Sequence, residues 1–139
     1  MPQLDSYLFF DGNCAEAMRF YERTLGGKLE VLMTHAQSPV ASATAPASAD
    51  RIMHARLVID GRALMASDAM VGQSYEGMKN FSLSLVYATA AEAKRVFEVL
   101  AEGGKITMPM QKTFWADAFG MLVDRFGTPW MVNGAMSST

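Results

Sequence analysis

Apolar and polar positions alternate along this chain in eight short runs, and twice they switch to a helical period. The runs with strand character are YLFF (Tyr7–Phe10), KLEVLM, MHARLVID (Met53–Asp60), RALMAS, FSLSLVY (Phe81–Tyr87), KITMPM, AFGMLVD (Ala118–Asp124) and PWMVN. Their length and bounding Gly, Asp and Pro residues are those of β-strands. Between the first two runs, Ala17, Tyr21 and Leu25 recur at i, i+4 and i+8. Between the fifth and sixth, Ala93, Val96, Phe97 and Leu100 recur at i, i+3, i+4 and i+7. Both spacings put one apolar stripe on a helix.

The two helical segments are near copies. Ala15, Glu16, Ala17, Arg19 and Glu22 match Ala91, Glu92, Ala93, Arg95 and Glu98 at a constant offset of 76, and Gly26-Gly27-Lys28 matches Gly103-Gly104-Lys105 after one inserted residue. Thr89-x-x-Glu92 has the form of a capping box, and Asn13-x-x-Glu16 is its close variant. Each helix runs out at Gly-Gly, which tolerates a left-handed cap. Asp60-Gly61 lies between two alternating runs and predicts a hairpin, and Arg125-Phe126-Gly127 predicts a second. The unit is therefore βαβββ, present twice. The expected class is α+β: two tandem βαβββ modules forming a curved mixed sheet around a cleft, with the helices outside. The modules are placed at residues 1–67 and 80–134, joined by a linker at 68–79 and followed by a tail at 135–139, all within one structural domain. Residues 36–50, rich in Ala, Ser and Pro, have no period and predict a long loop.

Composition narrows the function classes. The chain has 139 residues, half of them apolar, and a formal net charge of −2. Its 12 Lys and Arg are scattered among 14 Asp and Glu with no basic stripe, which argues against nucleic-acid binding. It has no run of about 20 apolar residues that would span a membrane and no signal-peptide pattern at its start, so a cytoplasmic protein is expected. A single cysteine, Cys14, allows neither a disulfide framework nor a paired-cysteine metal site.

Few residues carry candidate chemistry. His54, at the start of the third run, is a candidate base or polar handle and the weak candidate for a catalytic residue. His35 sits at the edge of the long loop and reads as surface. Cys14 lies in the first helical turn, where the helix dipole can favour a thiolate, yet no histidine neighbours it in sequence, and it reads as a small packed residue. Asp11 and Asp68 border turns and read as turn residues. Phe114 and Trp115, just ahead of a strand, are candidates to wall a cleft, with Asp117 close behind. Tyr87, Trp130 and the 12 methionines are candidates for apolar lining.

The segments FFDGNCAEAMRFYERTLGG, IMHARLVIDG, LMASD and FWADAFGMLVDRFGTPWMVN, which together span most of the chain, resemble the vicinal oxygen chelate superfamily of glyoxalases, extradiol dioxygenases and bleomycin-resistance proteins. They are most similar to its PhnB-like branch. The resemblance implies paired βαβββ modules, a small-molecule ligand and a homodimer. In metal-dependent members it implies four ligands, two from the first strands and two from the last. Here those positions align with Ser6 and Ser82, and with Met65 and Met131 at an offset of 66. Two serines and two methionines are poor ligands for a divalent ion, so no metal and no cofactor is expected. Where PhnB-like proteins read Phe-Trp-Gly-Asp-Arg, this chain has Ala116 and Ala118 about Asp117, and a fixed positive charge is missing. Some members of the branch are described as 3-demethylubiquinone methyltransferases, but no strand here is followed by the glycine-rich turn of a nucleotide-like cofactor site. The expected function is binding of a small apolar or aromatic molecule by His54, Phe114, Trp115, Asp117 and Trp130. The alternative is a glyoxalase-, isomerase- or dioxygenase-type enzyme with a relocated or His54-dependent site.

Overall fold

The repeated pattern folds into two repeated modules. In the computed structural model, which describes residues 1–39 and 46–137, the chain runs β1 (Ser6–Phe10), α1 (Cys14–Leu25), β2 (Lys28–Thr34), β3 (Ile52–Ile59), β4 (Arg62–Asp68), β5 (Leu83–Tyr87), α2 (Ala90–Ala101), β6 (Lys105–Gln111), β7 (Ala116–Val123) and β8 (Pro129–Met136). A 3-10 turn, Pro46–Ser48, lies in the long connection before β3; residues 40–45 of that expected loop lie outside the described residues. The strands form two four-stranded mixed sheets, ordered β1-β4-β3-β2 and β5-β8-β7-β6. In each, the first strand is parallel to the last and the other pairings are antiparallel. The chain divides into two compact units after Gly77. Among the described residues, no helix is long and apolar enough to cross a membrane.

Each sheet buries one face under its own helix. In the first module, Leu8 and Phe10 of β1, Ala55 and Leu57 of β3, and Leu64 and Ala66 of β4 are buried, together with Ala17, Met18 and Tyr21 of α1. In the second, Val96, Phe97 and Leu100 of α2 are buried with Leu122, Trp130 and Val132. Period-two alternation then assigns the other face of each sheet. The repeated Gly-Gly-Lys has a steric cause. A Cβ on Gly27 would lie 2.5 Å from the Val58 carbonyl oxygen, and one on Gly104 would lie 2.3 Å from that of Val123. The second glycine of each pair thus lets the chain enter its outer strand against the neighbouring hairpin.

Three boundaries differ from the sequence reading. Asp68, expected at the start of the linker, is the last residue of β4. Phe81 and Ser82 precede β5. The expected tail begins inside β8, because Met136 still pairs with Ala116.

The two helix starts also differ. Thr89 accepts from the Glu92 N–H at 3.1 Å, as a capping box requires. Asn13 makes no side-chain cap bond, so the expected Asn13-x-x-Glu16 cap is corrected. Its role passes to Asp68, 6 % exposed. Asp68 Oδ1 accepts from the N–H of Gly12 at 2.8 Å and of Cys14 at 3.0 Å, while Oδ2 accepts from Ile52 N–H at 2.9 Å. A strand-end carboxylate therefore supplies charge and acceptors to the start of α1.

Candidate functional site

The first module's face away from α1 carries Tyr7 and Phe9 from β1, Met65 and Ser67 from β4, and His54 and Arg56 from β3. Their cross-strand pairs are Tyr7 with Met65, Phe9 with Ser67, and Arg56 with Met65. Tyr7 Oη lies 3.1 Å from His54 Nδ1, and the two rings stack with centroids 5.7 Å apart. When Tyr7 donates, the ring hydrogen of neutral His54 resides on Nε2, which becomes the donor available to a ligand. Beside this pair, Arg56 is bound to Glu30 of β2 at 2.6 Å.

At the end of the same face, the segment after β4 turns back over β1. Its Tyr75 hydroxyl donates to the Phe9 carbonyl at 2.7 Å. Beneath it lies a pocket of about 400 Å³, lined by Phe9, His35, Met53, Ser67, Asp68, Ala69, Met70, Gln73, Ser74 and Tyr75. Burial, and then the carboxylates of Asp11 and Asp68, push the Tyr75 phenol above its ordinary range. Arg51 closes the outside of this corner, donating to Asp11 at 2.8 Å and to the Ala69 carbonyl at 2.7 Å.

In the second module, the corresponding face holds an aromatic cluster. Phe114 meets Trp115 edge-on at 4.8 Å, and Trp115 meets Phe119 edge-on at 5.1 Å. The Trp115 indole N–H donates to Asn133 Oδ1 at 3.2 Å. The Asn133 amide nitrogen reaches Ser84 Oγ and the Leu85 carbonyl, each at 3.4 Å. Phe114 is 86 % exposed. Asp117 is exposed and shares the strand face of Phe119.

Not every sequence candidate belongs to these faces. Trp130, expected to line a ligand, is 2 % exposed and stands on the helix side of its sheet, with its indole N–H donating to Asp124 Oδ2 at 2.8 Å. It is core. His54 lies in the first module, whereas Phe114, Trp115 and Asp117 lie in the second. His35, read as surface, lines the first module's pocket. Tyr87 shares the helix side with Leu85, and burial raises its phenol pKa first, with Glu92 adding and Arg95 opposing. Cys14 is fully buried, and burial followed by the Asp68 carboxylate drives its thiol far above the ordinary range. The folded protein therefore holds a neutral thiol. Alkylation of Cys14 at pH 8 is expected to proceed only through unfolding, with a rate that rises with urea; prompt labelling of the native protein would contradict this. The same shift makes stability pH-dependent. Above the unfolded thiol pKa of about 8.5, the unfolded chain loses a proton that the folded chain keeps. This contribution is therefore full at neutral pH and declines as pH rises beyond that point.

The superfamily's metal positions need a one-residue correction. Met65 and Met131 are equivalent, and they pair with Tyr7 and Ser84. Ser6 pairs with Leu64 and Leu83 with Trp130, so Ser6 corresponds to Leu83 and not to Ser82. The helix offset of 76 fails in the strands because Asp11, Gly12 and Asn13 separate β1 from α1, whereas only Ala88 and Thr89 separate β5 from α2. Ser6 moreover alternates with Leu8 and Phe10 towards the helix. The set facing away from the helices is Tyr7, Met65, Ser84 and Met131. Neutral hydroxyls and soft thioethers do not fit a hard divalent cation. Among the described residues, no group of three or more His, Cys, Asp or Glu is placed to hold one.

Comparison with known proteins agrees with this architecture. A family model described as 3-demethylubiquinone-9 3-methyltransferase matches residues 2–133, and the chain belongs to that family, the PhnB-like branch of the vicinal oxygen chelate fold. It is 40 % identical over 143 residues to protein YjdN of Escherichia coli, covering 96 % of this chain and 95 % of that one. It is similar to the crystal structure of protein PA1353 from Pseudomonas aeruginosa, with 50 % identity, a TM-score of 0.88 and coverage of 96 % and 98 %. It also resembles a putative 3-demethylubiquinone-9 3-methyltransferase, PhnB protein, from Bacillus cereus, with 25 % identity, a TM-score of 0.81 and coverage of 96 % and 100 %. In fold alone it resembles a glyoxylase/bleomycin resistance protein/dioxygenase domain from Frankia sp. EAN1pec, with 14 % identity, a TM-score of 0.66 and coverage of 100 % and 98 %.

Proposed function

We propose that this protein binds a small apolar or aromatic molecule without a metal, and that the second module's aromatic cluster supplies one contact surface. The observation that carries the reading is the exposed Phe114 ring packed edge-on against Trp115, whose own ring meets Phe119 edge-on and whose indole N–H is held by Asn133. Edge-to-face rings offer a rigid apolar wall, and the buried Asn133 amide fixes the Trp115 indole within it. Methyl transfer, named in the family's description, would need a site for a methyl donor. The two strand-to-helix turns are closed by the Asp68 carboxylate and the Thr89 hydroxyl, and neither is the glycine-rich turn such a donor site uses.

Tryptophan emission tests the binding reading, because Trp130 is sealed in the core and Trp115 is the responsive indole. A compound found to raise the melting temperature should change the emission saturably. In Trp115→Phe its affinity should fall at least about fivefold, the effect of losing about 1 kcal/mol of aromatic contact. The reading fails if the affinity is unchanged in that variant, or if a broad screen of neutral and charged aromatics yields no stabilising compound.

A second reading has its own observation, the 3.1 Å contact between Tyr7 and His54. A tyrosine that orients a histidine suits proton transfer on a bound substrate, as in isomerase-type chemistry. On this reading, His54→Ala abolishes any turnover found by substrate screening, and Tyr7→Phe lowers it by about 10-fold or more. Turnover that survives His54→Ala would remove it.

A further inference from the structure

We infer that the pocket under the segment following β4 is a separate binding site for a small uncharged ligand, an alcohol, phenol or amide with an apolar body, whose polar group bonds to Ser67. The pocket lies wholly within the first module and shares no residue with the aromatic cluster. Its volume of about 400 Å³ is within the ordinary range for a small-molecule site. Phe9, Met53, Ala69 and Met70 give it apolar walls.

The polar inventory selects the ligand. Ser67 lines the pocket at 8 % exposure, and no described residue hydrogen-bonds its hydroxyl. No buried side-chain oxygen or nitrogen among the described residues lacks a partner, so the Ser67 hydroxyl is open to the pocket and can bond to a group that enters it. Three of the other polar lining groups already hold partners. The Tyr75 hydroxyl holds the Phe9 carbonyl, and Gln73 Oε1 accepts from Met70 N–H at 3.1 Å. Both oxygens of Asp68 are occupied by backbone N–H groups, so no free carboxylate remains to pair with a cation. No lysine or arginine lines the pocket, and the nearby Arg51 is taken by Asp11 and Ala69. An anion would find no counter-charge and would feel the two carboxylates that act on Tyr75. A neutral donor or acceptor on an apolar body meets all of these constraints.

Four probes sharing one phenyl ring test the inference: benzyl alcohol, toluene, benzoate and benzylammonium. Binding is read at pH 8 from the methyl signals of protein labelled at methionine. Met53 and Met70 are assigned through leucine variants. Benzyl alcohol should shift the Met53 and Met70 signals saturably, and benzoate and benzylammonium should bind at least about 10-fold more weakly. Toluene and the Ser67→Ala variant should each lose roughly three- to tenfold in affinity, the range of one neutral hydrogen bond. The inference is overturned if either ion binds as well as the alcohol, if Ser67→Ala folds and binds unchanged, or if no saturable shift appears at Met53 and Met70. Should Ser67→Ala not fold, the ranking of the four probes on the unmodified protein decides. Tryptophan emission reports the other module, so the two binding readings fail independently.

Discussion

Asp68→Ala is expected to lower the unfolding free energy by about 3–5 kcal/mol, the larger of the effects foreseen for single polar substitutions. Three backbone donors, on Gly12, Cys14 and Ile52, lose their acceptor at once. Each buried donor left unmatched costs about 1–3 kcal/mol, and water reaching the half-exposed Gly12 N–H recovers part of that. The helix start also loses a negative charge where its dipole is positive. Asp68→Asn keeps the shape and one acceptor oxygen, so it should cost less, about 2 kcal/mol. Urea denaturation of the two variants measures both. A loss below about 1 kcal/mol for Asp68→Ala would show that Asn13 or solvent can cap α1 alone. The second module has no counterpart. The equivalent residue is Gly134, where a Cβ would lie 2.6 Å from the Ala93 Cβ and 2.7 Å from the Thr89 carbonyl oxygen. The longer turn before α1 leaves room for a carboxylate, and the shorter turn before α2 does not.

Trp130→Ala should destabilise by about 4–5 kcal/mol. The side chain is among the largest fully buried ones, and removing a buried indole costs about 3–5 kcal/mol in lost packing and cavity. Its loss also takes away the N–H that binds Asp124 Oδ2, whose partner Oδ1 holds the Phe126 and Thr128 amides of the β7–β8 turn. Trp130→Phe keeps most of the packing and forfeits the indole N–H, for an expected cost of about 2 kcal/mol. The pair separates core from ligand wall. If Trp130 contacted the ligand, Trp130→Phe would weaken binding at temperatures where the variant is fully folded. As a core residue, it should leave the affinity of the folded protein unchanged within about twofold.

The candidate sites were legible in unequal measure. Phe114 and Trp115 stood out because two large aromatics ahead of a strand are uncommon on a polar loop. His54 stood out because it is one of two histidines. Tyr7 was available to the same reasoning, since Leu8 and Phe10 face the helix and alternation sends Tyr7 and Phe9 the other way. The helix-based offset of 76 points to Ser6 instead, because it does not carry over to the strands. Ser67, Asn133 and Phe119 carry no local signal. A serine or asparagine in a strand becomes a binding group only when its cross-strand neighbours leave it facing a cavity or an indole. Asp68 likewise reads as a turn residue until β4 is laid beside β1 and its carboxylate arrives at the start of α1.

Short-range information therefore established the two βαβββ units, both helices, both hairpins and the doubled Gly-Gly-Lys. Period, caps and turn residues act over a few bonds and are written locally. Pairing across the chain decided the rest. It set which strand residue lies beside which, where the extra residue before α1 shifts the repeat, and which tryptophan is core. It also decided that the Ser67 hydroxyl opens onto a pocket. These depend on the register between strands tens of residues apart, where a slip of one residue moves every side chain to the opposite face of the sheet.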